Sequence, residues 1–377
     1  MIRDAALAIS DGRVVWCGAR RDWAGSARSE IDAAGCAVVP GLIDPHTHIV
    51  WGGDRLADFE LRTSGIAYET ILASGGGIRH TVAETTRAAA ATLLADATQR
   101  ARQMMRAGAT TIEVKSGYGL SWPLECRVLD VIGALANGVA ARISPTMLFH
   151  LPPRDPGERQ EFVRDAVTQW IPELAQRRIA TAIDVFVERE AFTLDEADHL
   201  MRAARHAGLQ CKAHADQFTA MGAVELAIGH GALSVDHLEA SGDAQIAALA
   251  GSETIGVILP GVTLHLGLAA APARRLIDAG AAIAIGTDCN PGSSPLFSAS
   301  LALALAVRLN ALTPAEALTA ATANAAAAIG RTDVGRVASG MHADFLILHS
   351  ADWRDLPYTL GGDPVARVFI AGSEIHY

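Results

Sequence analysis

The sequence predicts an α/β chain: a (β/α)8 TIM barrel with a small β-sandwich domain formed by its N- and C-terminal segments. Three observations predict it. Between residues 41 and 334, apolar strand-like runs alternate eight times with polar or glycine-rich loops and alanine-rich helical stretches. Both ends of the chain read as short strands, and neither end holds enough apolar surface for a core of its own. The composition, 50% hydrophobic and 19% charged over 377 residues, supports one large core with an appendage. An open, doubly wound sheet is the structural alternative.

The N-terminal segment, residues 1–40, opens with two strands, Ala6–Ser10 and Arg13–Cys17. Asp11-Gly12 joins them as a hairpin turn, because glycine accepts the positive φ that such turns need. A further strand falls within residues 31–39. The C-terminal segment, residues 335–377, contributes Asp344–Leu348, Ala366–Ile370 and Glu374–Tyr377. These segments are expected to pair as one small discontinuous domain.

The barrel strands are expected at Gly41–His48, Thr110–Lys115, Ile143–Phe149, Thr181–Val187, Leu209–Ala213, Ala232–His237, Thr254–Leu259 and Ala281–Thr287. Helices fill the gaps, among them Thr85–Ala107, Pro156–Arg177, Leu194–His206, Met221–Ile228 and Pro272–Ala279. Asp195 marks the start of the fourth crossover helix and Gly208 its end, and Thr313-Pro314 opens a later one.

Chemistry in such barrels gathers where strands end and βα-loops begin. Five metal-competent groups fall there. His46 and His48 end the first strand, and residues two apart on a strand share a face. His214 follows the fifth strand, His237 ends the sixth, and Asp288 ends the eighth. Each has an ordinary explanation alone: His237 reads as a core histidine and Asp288 as a helix cap. Their shared placement points to a metal site.

Bulk properties exclude several partners. The net charge is −10, and no Lys/Arg block appears, so nucleic acid and anionic membranes are not expected partners. No apolar run reaches the roughly 18 residues of a transmembrane helix. No signal-peptide core follows Met1, and a few native residues are expected ahead of it. Cys17, Cys36, Cys126, Cys211 and Cys289 form no Cys-x-x-Cys pair, which suits a reduced cytoplasmic protein. Cys289, beside Asp288, is expected to pack rather than react.

Longer motifs narrow the reading. Pro40-Gly41-Leu42-Ile43-Asp44-Pro45-His46-Thr47-His48 and Gly340-x-x-Ala343-Asp344-Phe345 resemble the amidohydrolase superfamily at large. Five further stretches resemble the imidazolonepropionase family within it. They are Trp51-Gly52-Gly53-Asp54-Arg55, Ala73-Ser74-Gly75-Gly76-Gly77-Ile78, Glu113-Val114-Lys115-Ser116-Gly117-Tyr118-Gly119, His214-Ala215-Asp216-Gln217 and Thr287-Asp288-x-Asn290-Pro291-Gly292-Ser293. The resemblance spans nearly the whole chain.

That resemblance implies one divalent metal per chain, zinc or iron, held by His46, His48, His214 and Asp288. The fourth barrel strand ends Asp184-Val185-Phe186-Val187-Glu188, without the lysine that two-metal relatives carboxylate. The implied reaction is hydrolysis of the ring amide of 4-imidazolone-5-propanoate to N-formimidoyl-L-glutamate, by a metal-activated water, in histidine breakdown. Asp288 is then ligand and proton shuttle, and His237 orients the water or stabilises the oxyanion. Arg55 is the expected clamp for the substrate carboxylate, with Tyr118 and His150 as further donors. Asn290, Gly292 and Ser293 offer hydrogen bonds beside the metal. Gln217 stands where some relatives carry Glu; it hydrogen-bonds but transfers no proton. Trp51 stands where Phe is frequent. The resemblance also implies a homodimer. The competing readings are a ring deaminase, which lacks the anion clamp, and an inactive scaffold, which has no need of the ligands.

Overall fold

The computed structural model describes residues 1–66 and 75–377; Ala73 and Ser74 of the glycine-rich motif lie outside the described residues. Strands β1 (Ala5–Ser10) and β2 (Arg13–Ala19) form the expected hairpin, with Asp11 and Gly12 at φ 52° and 73° in its turn. Strand β3 (Val38–Pro40) joins β12 (Phe345–Leu348), β13 (Val365–Ile370) and β14 (Ser373–Glu374) in an antiparallel sheet. The hairpin is bound to the C-terminal segment through Val14 N–H to Met341 C=O at 2.9 Å and Ala343 N–H to Gly12 C=O at 2.9 Å. Phe345 and Phe369 stack with ring centres 4.5 Å apart, in an apolar cluster that also takes in Leu7 and Cys36. Both ends of the chain therefore share one small core, as expected.

Eight parallel strands form the second sheet in chain order: β4 (Leu42–Asp44), β5 (Ala109–Lys115), β6 (Arg142–Phe149), β7 (Ala182–Phe186), β8 (Gln210–Ala215), β9 (Ser234–His237), β10 (Ile255–Ile258) and β11 (Ile283–Ile285). No ladder joins β11 to β4. Closure is made just beyond the strand ends, by Asp288 N–H to His46 C=O at 3.0 Å, by His48 N–H to Cys289 C=O at 3.0 Å, and by a bridge between Thr47 and Cys289. Asp44 ties the seam from the side chain, accepting from Thr287 N–H at 3.1 Å and Thr287 Oγ1–H at 2.6 Å. The seam thus holds His46, His48 and Asp288 together by backbone contacts.

Four local expectations are corrected. The first barrel strand ends at Asp44 rather than His48, because Pro45 has no N–H to continue the ladder. Thr85–Ala107 is two helices, Ile78–Arg87 and Ala90–Arg106, divided by extended backbone at Ala88 and Ala89. Pro156–Arg177 contains a π-helical turn at Ala166–Trp170, just before Pro172, whose missing N–H takes no part in an α-helical bond. The fourth crossover helix, Leu194–His206, is capped by Thr193, not opened by Asp195: Thr193 Oγ1 accepts from Glu196 N–H and Glu196 reaches back to Thr193 N–H.

Candidate metal centre and active site

His46, His48 and His214 converge at the C-terminal mouth of the barrel, each offering one ring nitrogen, all within 4.8 Å of one another. The Nε2 atoms of His46 and His48 are 3.2 Å apart. Asp288 Oδ1 is 3.3 Å from the first and 3.2 Å from the second. Four-coordinate zinc with bonds of about 2.0–2.1 Å spaces neighbouring ligand atoms by about 3.3 Å, a spacing that His46, His48 and Asp288 match, and the three histidines together could hold one divalent cation. Burial pushes the imidazoles of His48 and His214 below the usual histidine range, which keeps them neutral and ready to ligate. Burial works against an ionised Asp288, yet contacts with His46 and His48 hold its carboxyl well below the usual range.

The barrel interior orients these ligands. His46 Nδ1 lies 2.6 Å from Asp236, and His214 Nδ1 lies 2.9 Å from Asp184. A carboxylate on Nδ1 fixes the proton there and turns the Nε2 lone pair toward a metal. Lys115 Nζ donates to Asp184 at 2.8 Å and to Glu113 at 2.7 Å, and lies 3.6 Å from Asp236. Lys212 Nζ donates to the Pro45 carbonyl at 2.9 Å and lies 3.5 Å from Asp236. Burial opposes the Lys115 charge, but Asp184, Glu113 and Asp236 raise its pKa above the ordinary lysine value. Asp184 and Asp236 are likewise held low against burial, chiefly by His214 and Lys115 at the first and by Lys212 and His46 at the second.

Sequence reasoning missed this layer. The available signal was charge inside apolar strands: Glu113 and Lys115 alternate on β5, and Lys212 stands two before His214 on β8. An inward strand position that carries a charge needs a partner.

Three more acids shape the loops. Glu125 accepts from Gly117 N–H at 2.8 Å, Gly119 N–H at 2.7 Å and Leu120 N–H at 2.7 Å, folding the loop that presents Tyr118. A Cβ on Gly117, at φ 108°, would sit 2.9 Å from Leu148, which explains the glycine. Glu188 accepts from Phe218 N–H at 3.1 Å and Thr219 N–H at 3.0 Å, fixing the loop that carries Gln217. Asp44 closes the seam, and burial pushes its carboxyl up to about 6.

The predicted substrate residues divide into two groups. Tyr118 and His150 line the same mouth, with ring centres 6.1 and 6.0 Å from His48. Burial keeps the Tyr118 hydroxyl protonated and pulls His150 down to about 3, so both are neutral at pH 7. Arg55 forms an ion pair with Asp58 through Nε, and its side chain is only 9% exposed. Its Nη1 edge lies where a Cβ on Gly292 would come within 3.2 Å, so it faces the loop that follows Asp288. Asp58 also accepts from Gly77 N–H at 2.9 Å, joining Arg55 to the glycine-rich motif. Gln217, three positions after His214 in the sequence, is partly exposed.

Asn290 and Ser293 are engaged differently. Asn290 Oδ1 accepts from Gly292 N–H and Ser293 N–H, each at 2.8 Å, so its side chain builds the loop. Ser293 Oγ–H donates to Asp288 Oδ2 at 3.0 Å and holds that carboxylate. Cys289 is fully buried, and burial pushes its thiol well above the usual range, so it packs as expected. All five cysteines are unpaired.

The backbone is strained where the site is built. Asp216, His237, Leu238 and Asp288 are non-glycine residues at φ 56°, 90°, 71° and 52°. Such conformations cost on the order of 1–3 kcal/mol each. On β9, Asp236 points into the barrel, so regular alternation would send His237 outward. The positive φ breaks that alternation, and the His237 ring lies 5.3 Å from that of His214 and 5.7 Å from that of His46.

A near-closed parallel barrel with a buried histidine triad at its C-terminal mouth defines a hydrolase class built around a divalent metal. The Amidohydrolase family model matches residues 37–375. Imidazolonepropionase of Deinococcus deserti is 56% identical over 99% of this chain and 92% of its own length. Imidazolonepropionase of Deinococcus radiodurans is 55% identical over 100% and 93%. Among solved structures, 5-methylcytosine deaminase from Klebsiella pneumoniae matches with a TM-score of 0.76 at 15% identity, over 98% of this chain and 93% of that one. An adenosine deaminase from Xanthomonas campestris with bound zinc matches at 0.68 and 20% identity, over 98% and 88%; these two speak for the fold alone. The chain belongs to the amidohydrolase family, and within it to the imidazolonepropionases.

Proposed function

We propose that this chain opens the ring of 4-imidazolone-5-propanoate by hydrolysing its cyclic amide, giving N-formimidoyl-L-glutamate. The observation that carries this reading is Arg55: a guanidinium held by Asp58 against Gly292, beside the loop that leaves Asp288. An anion clamp there suits a ring substrate with a short carboxylate arm. The identity to the Deinococcus enzymes supports the same substrate.

The metal, zinc or iron, would be held by His46, His48, His214 and Asp288. When bound, it would lower the pKa of a water toward roughly 7 and polarise the ring carbonyl. The chain's own groups do the rest. Asp288, ionised and steadied by Ser293, accepts a proton through its carboxylate and delivers it to the leaving ring nitrogen. His237 faces the reacting carbonyl and stabilises the charge that develops on its oxygen. Tyr118, a neutral phenol, donates to the propionate alongside Arg55, and His150 offers a second neutral contact. Gln217 hydrogen-bonds the ring, and without a titratable group it leaves proton transfer to Asp288.

The test is turnover of freshly generated 4-imidazolone-5-propanoate, read by loss of its ultraviolet absorbance. A ring substrate without the carboxylate arm serves as the comparison.

A further inference from the structure

The loop after β9 contains a buried acid that the reaction above does not use. Glu239 has a side chain 4% exposed, and neither of its carboxylate oxygens has a hydrogen-bond partner among the described residues. A buried acid left without partners is rare in a folded protein. Directly opposite stands a second orphan. His237 Nδ1 is also buried without a hydrogen-bond partner, and it lies 3.3 Å from Glu239 Oε2. The two meet across Leu238, in the stretch where His237 and Leu238 both hold positive φ. Two consecutive strained residues bring a histidine and an acid two positions apart face to face.

The rest of the loop is pinned. Leu238 N–H donates to the Ala215 carbonyl at 3.1 Å, Ala240 N–H to the Asp216 carbonyl at 2.7 Å, and Ser241 Oγ–H to Asp216 at 2.8 Å. The strand that carries His214 thus supports the turn that carries Glu239, and the strained backbone is over-determined by these contacts.

We infer that Glu239 is the positioning residue for His237: it takes the Nδ1 proton in a hydrogen bond and leaves Nε2 as the nitrogen presented to the substrate. This deepens the proposed function and rests on its placing of His237 at the reacting carbonyl. The same logic holds Nδ1 of His46 and His214 through Asp236 and Asp184. A carboxylate behind an imidazole selects its tautomer, and a side-chain amide in that place permits the wrong one.

The experiment combines two readouts on the zinc-loaded protein. First, 15N-histidine NMR of the wild type, with the His237 signals assigned by their loss in His237→Asn, reads the tautomer directly. The expected result is Nδ1–H with an unprotonated Nε2; an Nε2–H tautomer in the wild type overturns the proposal, and this arm needs neither the substrate nor a stable Glu239 variant. Second, kcat and KM are measured for wild type, Glu239→Gln, His237→Asn and the double variant. Glu239→Gln is expected to lower kcat by about tenfold or more, the low end of the roughly 10- to 100-fold that carboxylates orienting a histidine contribute, with KM little changed and no further loss in the His237→Asn background. An undiminished kcat, or the same fold-loss in both backgrounds, marks Glu239 as merely structural and overturns it. Absence of turnover in the wild type would count against the substrate reading, while the NMR arm still decides the role of Glu239.

Discussion

Asp236 lies 2.6 Å from Nδ1 of His46, and its other oxygen accepts from Ser234 Oγ–H at 2.5 Å. A metal ligand is thereby aimed by a carboxylate that is itself held in place. Asp236→Asn keeps the volume but allows the amide to donate to Nδ1 and turn a proton toward the metal. The expected loss of metal affinity is about 10- to 100-fold. Competition with a graded series of chelators measures it, and affinity equal to wild type would remove Asp236 from the site.

Lys115 is the cation shared by Glu113, Asp184 and Asp236 inside the barrel. Lys115→Met leaves the acids buried without it, and breaking a buried pair from one side costs about 3–5 kcal/mol. Denaturant unfolding of the metal-free protein reads this cost without interference from ligand binding. Arg354→Ala, which removes an exposed partner of Asp352, is the control and should leave the unfolding midpoint nearly unchanged.

Arg55→Met should raise KM for the propionate substrate by about 10- to 100-fold, since a hydrogen bond to a charged group contributes about 1.5–3 kcal/mol. Turnover of a ring lacking the carboxylate arm should hardly change. Equal losses on both substrates would mean that Arg55 serves the loop through Asp58 and does not hold the anion.

Glu316 gives a pH-dependent contribution away from the site. It caps the helix Pro314–Ala320 through Thr313 and accepts from Arg274 at 2.9 and 3.1 Å, and these contacts, Arg274 foremost, pull its carboxyl down to about 2. A depressed folded-state pKa stabilises above the ordinary glutamate value, and that stabilisation is lost as pH falls toward about 2. Glu316→Gln should therefore lower Tm at pH 7, with the difference from wild type shrinking as pH drops from about 5 to about 3. Side chains about 30% exposed keep the effect small. A difference that stays constant through that range would assign it to helix capping alone.

The sequence made the barrel legible because period and punctuation agree: eight apolar runs, each followed by a loop and a helix, correspond to β4 through β11. His46, His48 and His214 were legible because metal-competent residues at strand ends are few. What stayed hidden was whatever depends on packing between distant strands. Asp184, Asp236, Glu113, Lys115 and Lys212 look like misplaced charges until the barrel closes and brings them together. Glu125 and Glu188 lie in ordinary positions of the sequence, and only the folded loops reveal the N–H groups they satisfy. His237 was flagged, but its route into the site was not. That route depends on the positive φ at His237 and Leu238, which no residue type there announces.

The most direct test of the central claim is to give the metal-replete protein freshly prepared 4-imidazolone-5-propanoate and follow both the fall in ultraviolet absorbance and the appearance of N-formimidoyl-L-glutamate. The structure predicts turnover that disappears when the metal is stripped and returns with zinc or iron. Metal-replete protein that leaves this substrate intact, while opening or deaminating a ring without the carboxylate arm, would contradict the account.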